Sequence, residues 1–230
     1  GKVTDITLKF DEPGIYTFFC TRWCGLNHWR MRGTIEVTGA SDSPIPASVP
    51  MYATLNLNID APHDALIIPS QKPSAIRGQP FSTKLPITQS TNYYRAHSPY
   101  QVFDELNKTL LTDTQRWDVV AYIWQSSTTK ESLANGQKLF ANNCAACHGE
   151  KGAGNGVFAD KVAADFGKSM SSTNNGRPVD FTDAKQMLGA SPALLQGKIL
   201  RGGMGTGMPM WGSIFTEEQI LQIINSVGSK

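Results

Sequence analysis

No apolar run in this chain approaches the roughly 18 residues that a membrane-spanning helix requires. No charged, apolar and small-residue succession of the signal-peptide kind opens it, so Gly1 is expected to be a processed or truncated start. Charge of one sign is scarce as well. The net charge is +2, which gives no electrostatic case for nucleic acid or for a strongly steered partner. There are only four cysteines, all inside two short motifs, so none is left for a structural disulfide. Hydrophobic residues make up 40% of the chain and charged residues 17%, a balance that suits a packed protein rather than a disordered one. With 230 residues the chain is long enough for two domains.

The first cysteine motif is Cys144-Ala145-Ala146-Cys147-His148. Two thiols so spaced can form thioethers with the two vinyl groups of a haem, and the adjacent histidine reaches the iron from the same helical turn. A redox dithiol is the rival reading of the cysteines alone. Gly136 and Phe140 precede the motif on an expected helix, and the glycine lets that helix pack closely on a later one. A sixth ligand is offered by Gly207-Met208-Pro209-Met210-Trp211. Met208 is the first choice, because the following proline stiffens the loop and removes a competing amide; Met210 and Met204 are the fallbacks. Methionine opposite histidine raises a haem's potential and suits electron transfer.

The second motif runs from Cys20 to Met31, with three residues between Cys20 and Cys24, three more before His28 and two before Met31. Thiolates and a thioether select copper, and imidazole suits it. A disulfide between Cys20 and Cys24 is one rival. A zinc site is another, but it usually takes four cysteine or histidine ligands and only three are local.

Three divisions follow. Residues 1–40 read as β structure, with strands expected around Ile6-Phe10, Ile15-Phe19 and Gly33-Thr38. Residues 41–127 read as a proline-containing linker, a mostly irregular stretch over 51–90, and a helical hairpin. Ser98-Pro99 and the capping box Thr112-Asp113-Thr114-Gln115 start its helices. Residues 128–230 read as an all-helical domain, with further helix starts at Ser191-Pro192 and Thr216-Glu217-Glu218-Gln219. The repeated caps suggest a weak internal repeat, in which residues 91–127 are a remnant lacking both the cysteine motif and the methionine loop. His63 and His97 read as surface or capping residues.

Residues 131–230 resemble a class I cytochrome c domain. The likeness rests on the first helix, the Cys144–His148 motif, the run Pro178-Val179-Asp180-Phe181-Thr182-Asp183, the Met208-Pro209 loop and the closing helix. It implies a small helical fold around one covalent haem, with His148 and Met208 axial. The Cys20–Met31 loop resembles the binuclear CuA loop of cytochrome oxidase subunit II and of nitrous oxide reductase. Gly25 and Asn27 favour the first, Thr21 and Met31-Arg32-Gly33 the second. That resemblance implies that Cys20 and Cys24 bridge two coppers, that His28 binds one and Met31 the other, and that Arg22 lends its carbonyl.

The CuA family takes a second histidine from well before the first cysteine. Nineteen residues precede Cys20 here and none is histidine. Three strands also fall short of the roughly seven of a β-sandwich. The expectation is that the rest of the domain, and any membrane anchor, lies upstream or in another chain. The alternative is that residues 51–70 complete the sandwich and His63 supplies the ligand.

The expected fold class is therefore α+β and multidomain: a partial cupredoxin sandwich, a linker with a helical hairpin, and a cytochrome c domain. The expected function is electron transfer between a soluble cytochrome or cupredoxin donor and the subunits of a respiratory complex. The first context is an oxidase subunit II with a fused cytochrome c. The alternatives are the electron-entry part of a nitrous oxide reductase, or a haem-only carrier with an empty copper loop. No residue here is expected to be catalytic for oxygen or nitrous oxide. Covalent haem attachment places the chain in the periplasm or on the outer face of the bacterial cell membrane.

Overall fold

The structure is a computed structural model that describes residues 3–20, 31–39, 49–82, 90–166, 176–203 and 206–228. Among these residues it is mostly helical. One two-stranded antiparallel sheet pairs β1 (Gly14–Phe19) with β2 (Arg32–Val37), in register from Gly14 opposite Val37 to Phe19 opposite Arg32. The strand expected at Ile6-Phe10 is not formed. Residues 3–10 are irregular, with Ile6 77% and Leu8 59% exposed. Alternation specifies a strand only where a neighbouring strand takes up its backbone groups, and among the described residues none does so. The described sheet is thus not a cupredoxin sandwich. Residues 51–70 do not complete one either, since they hold a short helix α1 (Met51–Thr54) and irregular backbone.

The next helices are α2 (Ala75–Ser82), α3 (Thr91–Ala96), α4 (Pro99–Glu105) and α5 (Asp113–Ser126), with a 3₁₀ turn over Leu106–Lys108. Helix α2 was hidden in the stretch read as irregular. It is short and carries Pro80, so local propensity does not announce it. Tertiary packing holds it: a Cβ on Gly78 would lie 1.9 Å from the Asp118 carbonyl oxygen, so only glycine allows this crossing of α5. The Arg77 guanidinium clamps the buried Asp118 carboxylate through Nε and Nη2, both at 2.8 Å. The capping boxes at Ser98 and Thr112 form as expected. Phe103 and Trp117 stack at 4.4 Å in a core with Val102, Leu106, Val119 and Ile123.

The second group is α6 (Lys130–Asn143), α7 (Ala145–His148), α8 (Ala159–Phe166), α9 (Ala184–Gly189), α10 (Pro192–Arg201) and α11 (Glu217–Gly228). Gly136 of α6 meets α11 as Gly78 meets α5: its Cβ would lie 1.9 Å from the Gln222 carbonyl oxygen. Asp118 and Gln222 stand at the same place after their cap threonines, Thr112 and Thr216, so the two crossings share one register. The Thr112 and Thr216 caps therefore open the second helices of two crossings of like register, the first of which uses α2, outside the 91–127 in which a repeat is expected. Tyr94 of α3 donates its hydroxyl to Asn225, and Arg95 pairs with Glu218 at 3.3 Å, joining the two groups. No helix among the described residues is long and apolar enough to cross a membrane.

Candidate metal centres

Helix α6 delivers the cysteine motif. Cys144 caps its end, and the tight α7 turn follows, with the Cys147 and His148 amides donating to the Cys144 carbonyl at 3.1 and 2.9 Å. Gly149, at φ 81°, reverses the chain in a backbone region that side chains disfavour. The following loop then lies back on the motif. Gly154, Gly156 and Phe158 donate their amides to the carbonyls of His148, Cys147 and Ala146 at 2.8, 3.1 and 2.9 Å. Each functional side chain is thus held by a backbone that is itself hydrogen-bonded.

His148 Nδ1 lies 3.2 Å from the Val179 carbonyl oxygen, and its ring stacks on Phe181 at 4.6 Å and 19°. With Nδ1–H donating to that carbonyl, the Nε2 lone pair is left for a metal. Burial lowers the His148 pKa, opposed by the Val179 hydrogen bond. The neutral ring is the form that binds iron. The Cys144 thiol is pushed up to about 11, first by burial and then by Cys147. A redox dithiol needs the opposite shift, toward a stabilised thiolate. Both thiols are unbridged. Two thiols on one turn beside an imidazole with a fixed tautomer fit haem c.

The methionine loop starts and ends on the last turn of α10. Trp211 and Gly212 donate their amides to the carbonyls of Ile199 and Leu200 at 3.3 and 3.1 Å, and Gly203 donates to the Met208 carbonyl at 3.1 Å. Met208 is half-buried, while Met210 is 39% exposed. Gly207 approaches Val162 and Phe166 of α8. Met204 lies outside the described residues.

Residues 133–227 match the cytochrome c family. The chain carries a class I cytochrome c domain. That domain binds haem c covalently and transfers electrons. The Cbb3-type cytochrome c oxidase subunit CcoP of Cereibacter sphaeroides is 32% identical over 117 residues, 50% of this chain and 34% of that protein. The chain thus spans about a third of that relative's length. A solved chain of the Kuenenia stuttgartiensis reducing HAO-like protein complex is 22% identical, with a TM-score of 0.37 over 57% of this chain and 71% of that one. A likeness so slight adds nothing to the fold.

Of the copper loop, only Cys20 and Met31 are described; Arg22, Cys24 and His28 lie outside the described residues. The Cys20 amide donates to the Met31 carbonyl at 3.0 Å, continuing the β1–β2 pairing to the loop's mouth. His63, the alternative copper ligand, is half-buried beside α10. Its Nδ1 lies 3.4 Å from the Ala61 carbonyl, and Lys198 faces it. His97 bridges α3 and α4, with Nδ1 at 2.9 Å from the Tyr93 carbonyl. Among the described residues no three histidine, cysteine or acidic side chains gather into a metal cluster.

One element of the haem site escapes a reading of side chains. The Val179 acceptor is a backbone group, which any residue there would supply, though the Pro178–Asp183 run marked the segment.

Proposed function

We propose that this chain carries electrons through its haem c as part of a respiratory terminal oxidase assembly on the outer face of a bacterial cell membrane. The observation that carries this reading is His148, held as a neutral ligand by the Val179 carbonyl directly beside two unbridged thiols. The relation to an oxidase subunit supports the respiratory setting. A soluble cytochrome or cupredoxin is the donor in this reading, and Met208 is the sixth ligand. The chain expressed with a haem-attachment system should hold one haem by pyridine haemochrome assay, and should be low-spin and six-coordinate when reduced. Rapid electron exchange with a reduced small cytochrome completes the test. A five-coordinate haem, or one that exchanges no electrons, sinks it.

The single haem bears on residues 75–126. This proposal reads α2–α5 as a unit of the same plan as the haem domain but without a haem, supported by the shared register at Gly78 and Gly136. A count of two haems would overturn that part.

A second reading adds a CuA-type centre. Its support is that strand pairing closes the loop right at Cys20 and Met31, as a ligand loop at a hairpin end requires. Cys20 and Cys24 bridge two coppers in this reading, with His28 and Met31 terminal and Arg22 lending its carbonyl. Copper titration followed by electron resonance tests it: a mixed-valence pair that Cys24→Ser converts to a mononuclear centre supports it. Iron without any copper leaves the haem-only carrier.

A further inference from the structure

We propose that Asp60 and Arg201 brace the methionine loop, making Asp60 a positioning residue for the haem's sixth ligand. This rests on the reading of Met208 as that ligand. Asp60 belongs to a strap, residues 50–65, that precedes the cytochrome c domain in sequence and runs along its helices α9 and α10. Tyr52 and Ile59 sit where a Cβ on Gly197 would be, at 2.7 and 3.0 Å, and the His63 carbonyl oxygen sits 1.6 Å from the Cβ position of Gly189. Ala65 donates its amide to the Lys185 carbonyl at 2.8 Å, and Asp64 pairs with Lys185 at 3.2 Å. Two glycines of the domain are therefore shaped for this strap.

At the end of α10 the strap makes a bidentate ion pair. Arg201 Nη2 and Nη1 reach Asp60 Oδ1 and Oδ2 at 2.6 and 3.1 Å, with the side chains 7% and 10% exposed. The pair is ill suited to stability alone. Desolvating two charges offsets most of their attraction, and Arg201 Nε is buried without a partner among the described residues. What a bidentate pair supplies is one fixed geometry. Arg201 is the last residue of α10, and the loop begins at once. Gly202, at φ 76°, lies against the Pro209 carbonyl oxygen, 2.6 Å from its Cβ position; the loop's other end is tied to Ile199 and Leu200. Fixing that helical turn therefore fixes where Met208 is presented. Lys198, half-buried on the same helix, also faces Asp60, so loss of the carboxylate leaves two cations free to part.

The test uses the full haem-loaded chain. Two readouts are needed: the far-red methionine-to-ferric-haem charge-transfer band, and the affinity of the ferric haem for added imidazole. Asp60→Asn, which keeps shape and removes charge, should weaken the band and raise imidazole affinity about tenfold, the size of a typical coupling between sites. Asp60→Glu should recover part of both. Asp118→Asn is the control: it breaks the Arg77 pair that joins α2 to α5 and should leave both readouts unchanged. Met208→Ala separates the premises, because a band that survives it overturns the ligand choice itself. If Met208→Ala abolishes the band while Asp60→Asn leaves both readouts as in the parent, the brace is overturned. An equal loss in Asp118→Asn also overturns it, since general loosening then explains the effect. Should Asp60→Asn not accumulate, Arg201→Lys keeps the charge but loses the bidentate grip, and unchanged readouts there overturn the proposal.

Discussion

At the scale of single residues, the haem site separates ligands from the groups that hold them. His148 is useful because Val179 fixes its tautomer and burial keeps it neutral. Met208→Ala should leave the haem attached, lower its potential and admit carbon monoxide, because a thioether opposite histidine favours the reduced iron. Redox titration and carbon monoxide difference spectra check this. His63 gives a pH signature. Its pKa lies below the ordinary 6.5, first through burial and then through Lys198, against smaller pulls from the Ala61 carbonyl and Asp64. The unfolded chain therefore takes up this proton at higher pH than the folded one. Stability from this site is complete above about pH 6.5 and falls as the pH drops from there through the folded value. His63→Gln should flatten the fall in melting temperature between about pH 7 and pH 5.

At the scale of elements, two helix crossings depend on glycine for space rather than for backbone freedom. Gly136→Ala sets a methyl against the Gln222 carbonyl, and Gly78→Ala sets one against that of Asp118. Each should cost about 1–3 kcal/mol as the helices part. The consequences should differ. Gly136→Ala strains the pair that presents the Cys144–His148 motif and should reduce haem incorporation, whereas Gly78→Ala should lower the denaturation midpoint with the haem spectrum intact. The capping boxes at Thr112 and Thr216 were legible because a cap is local chemistry, a hydroxyl and an amide three residues apart. Helix α2 was not, because its eight residues, Pro80 among them, are held by α5 rather than by their own propensity.

At the scale of the molecule, the haem domain leans on residues outside it. The strap and the Tyr94 and Arg95 contacts both reach its helices from earlier in the chain. A fragment of residues 128–230 should still take up haem, since α6, the motif, the methionine loop and α11 are all within it. It should melt below the full chain and show a weaker far-red band, because Gly189, Gly197 and Arg201 lose their partners. Equal melting and equal bands would show that the strap adds nothing.

The chemistry of the haem site was written in the sequence, because thioether attachment and axial ligation need particular side chains at short spacing. Cys144, Cys147 and His148 are recognisable without knowing where the chain goes, and Met208 is the sixth ligand proposed from its own loop. The glycine of the first helix was readable for the same reason, as a residue whose only asset is the space it leaves. What needed the tertiary structure was everything carried by backbone groups or by pairs far apart. The Val179 carbonyl has no identity in the sequence, the partner of Arg201 lies 141 residues away, and Ile6, Leu8 and Phe10 alternate like a strand while no neighbour among the described residues pairs with them. Local chemistry is encoded residue by residue; whether a strand pairs, a short helix forms or a buried charge is matched depends on what the rest of the fold brings beside it.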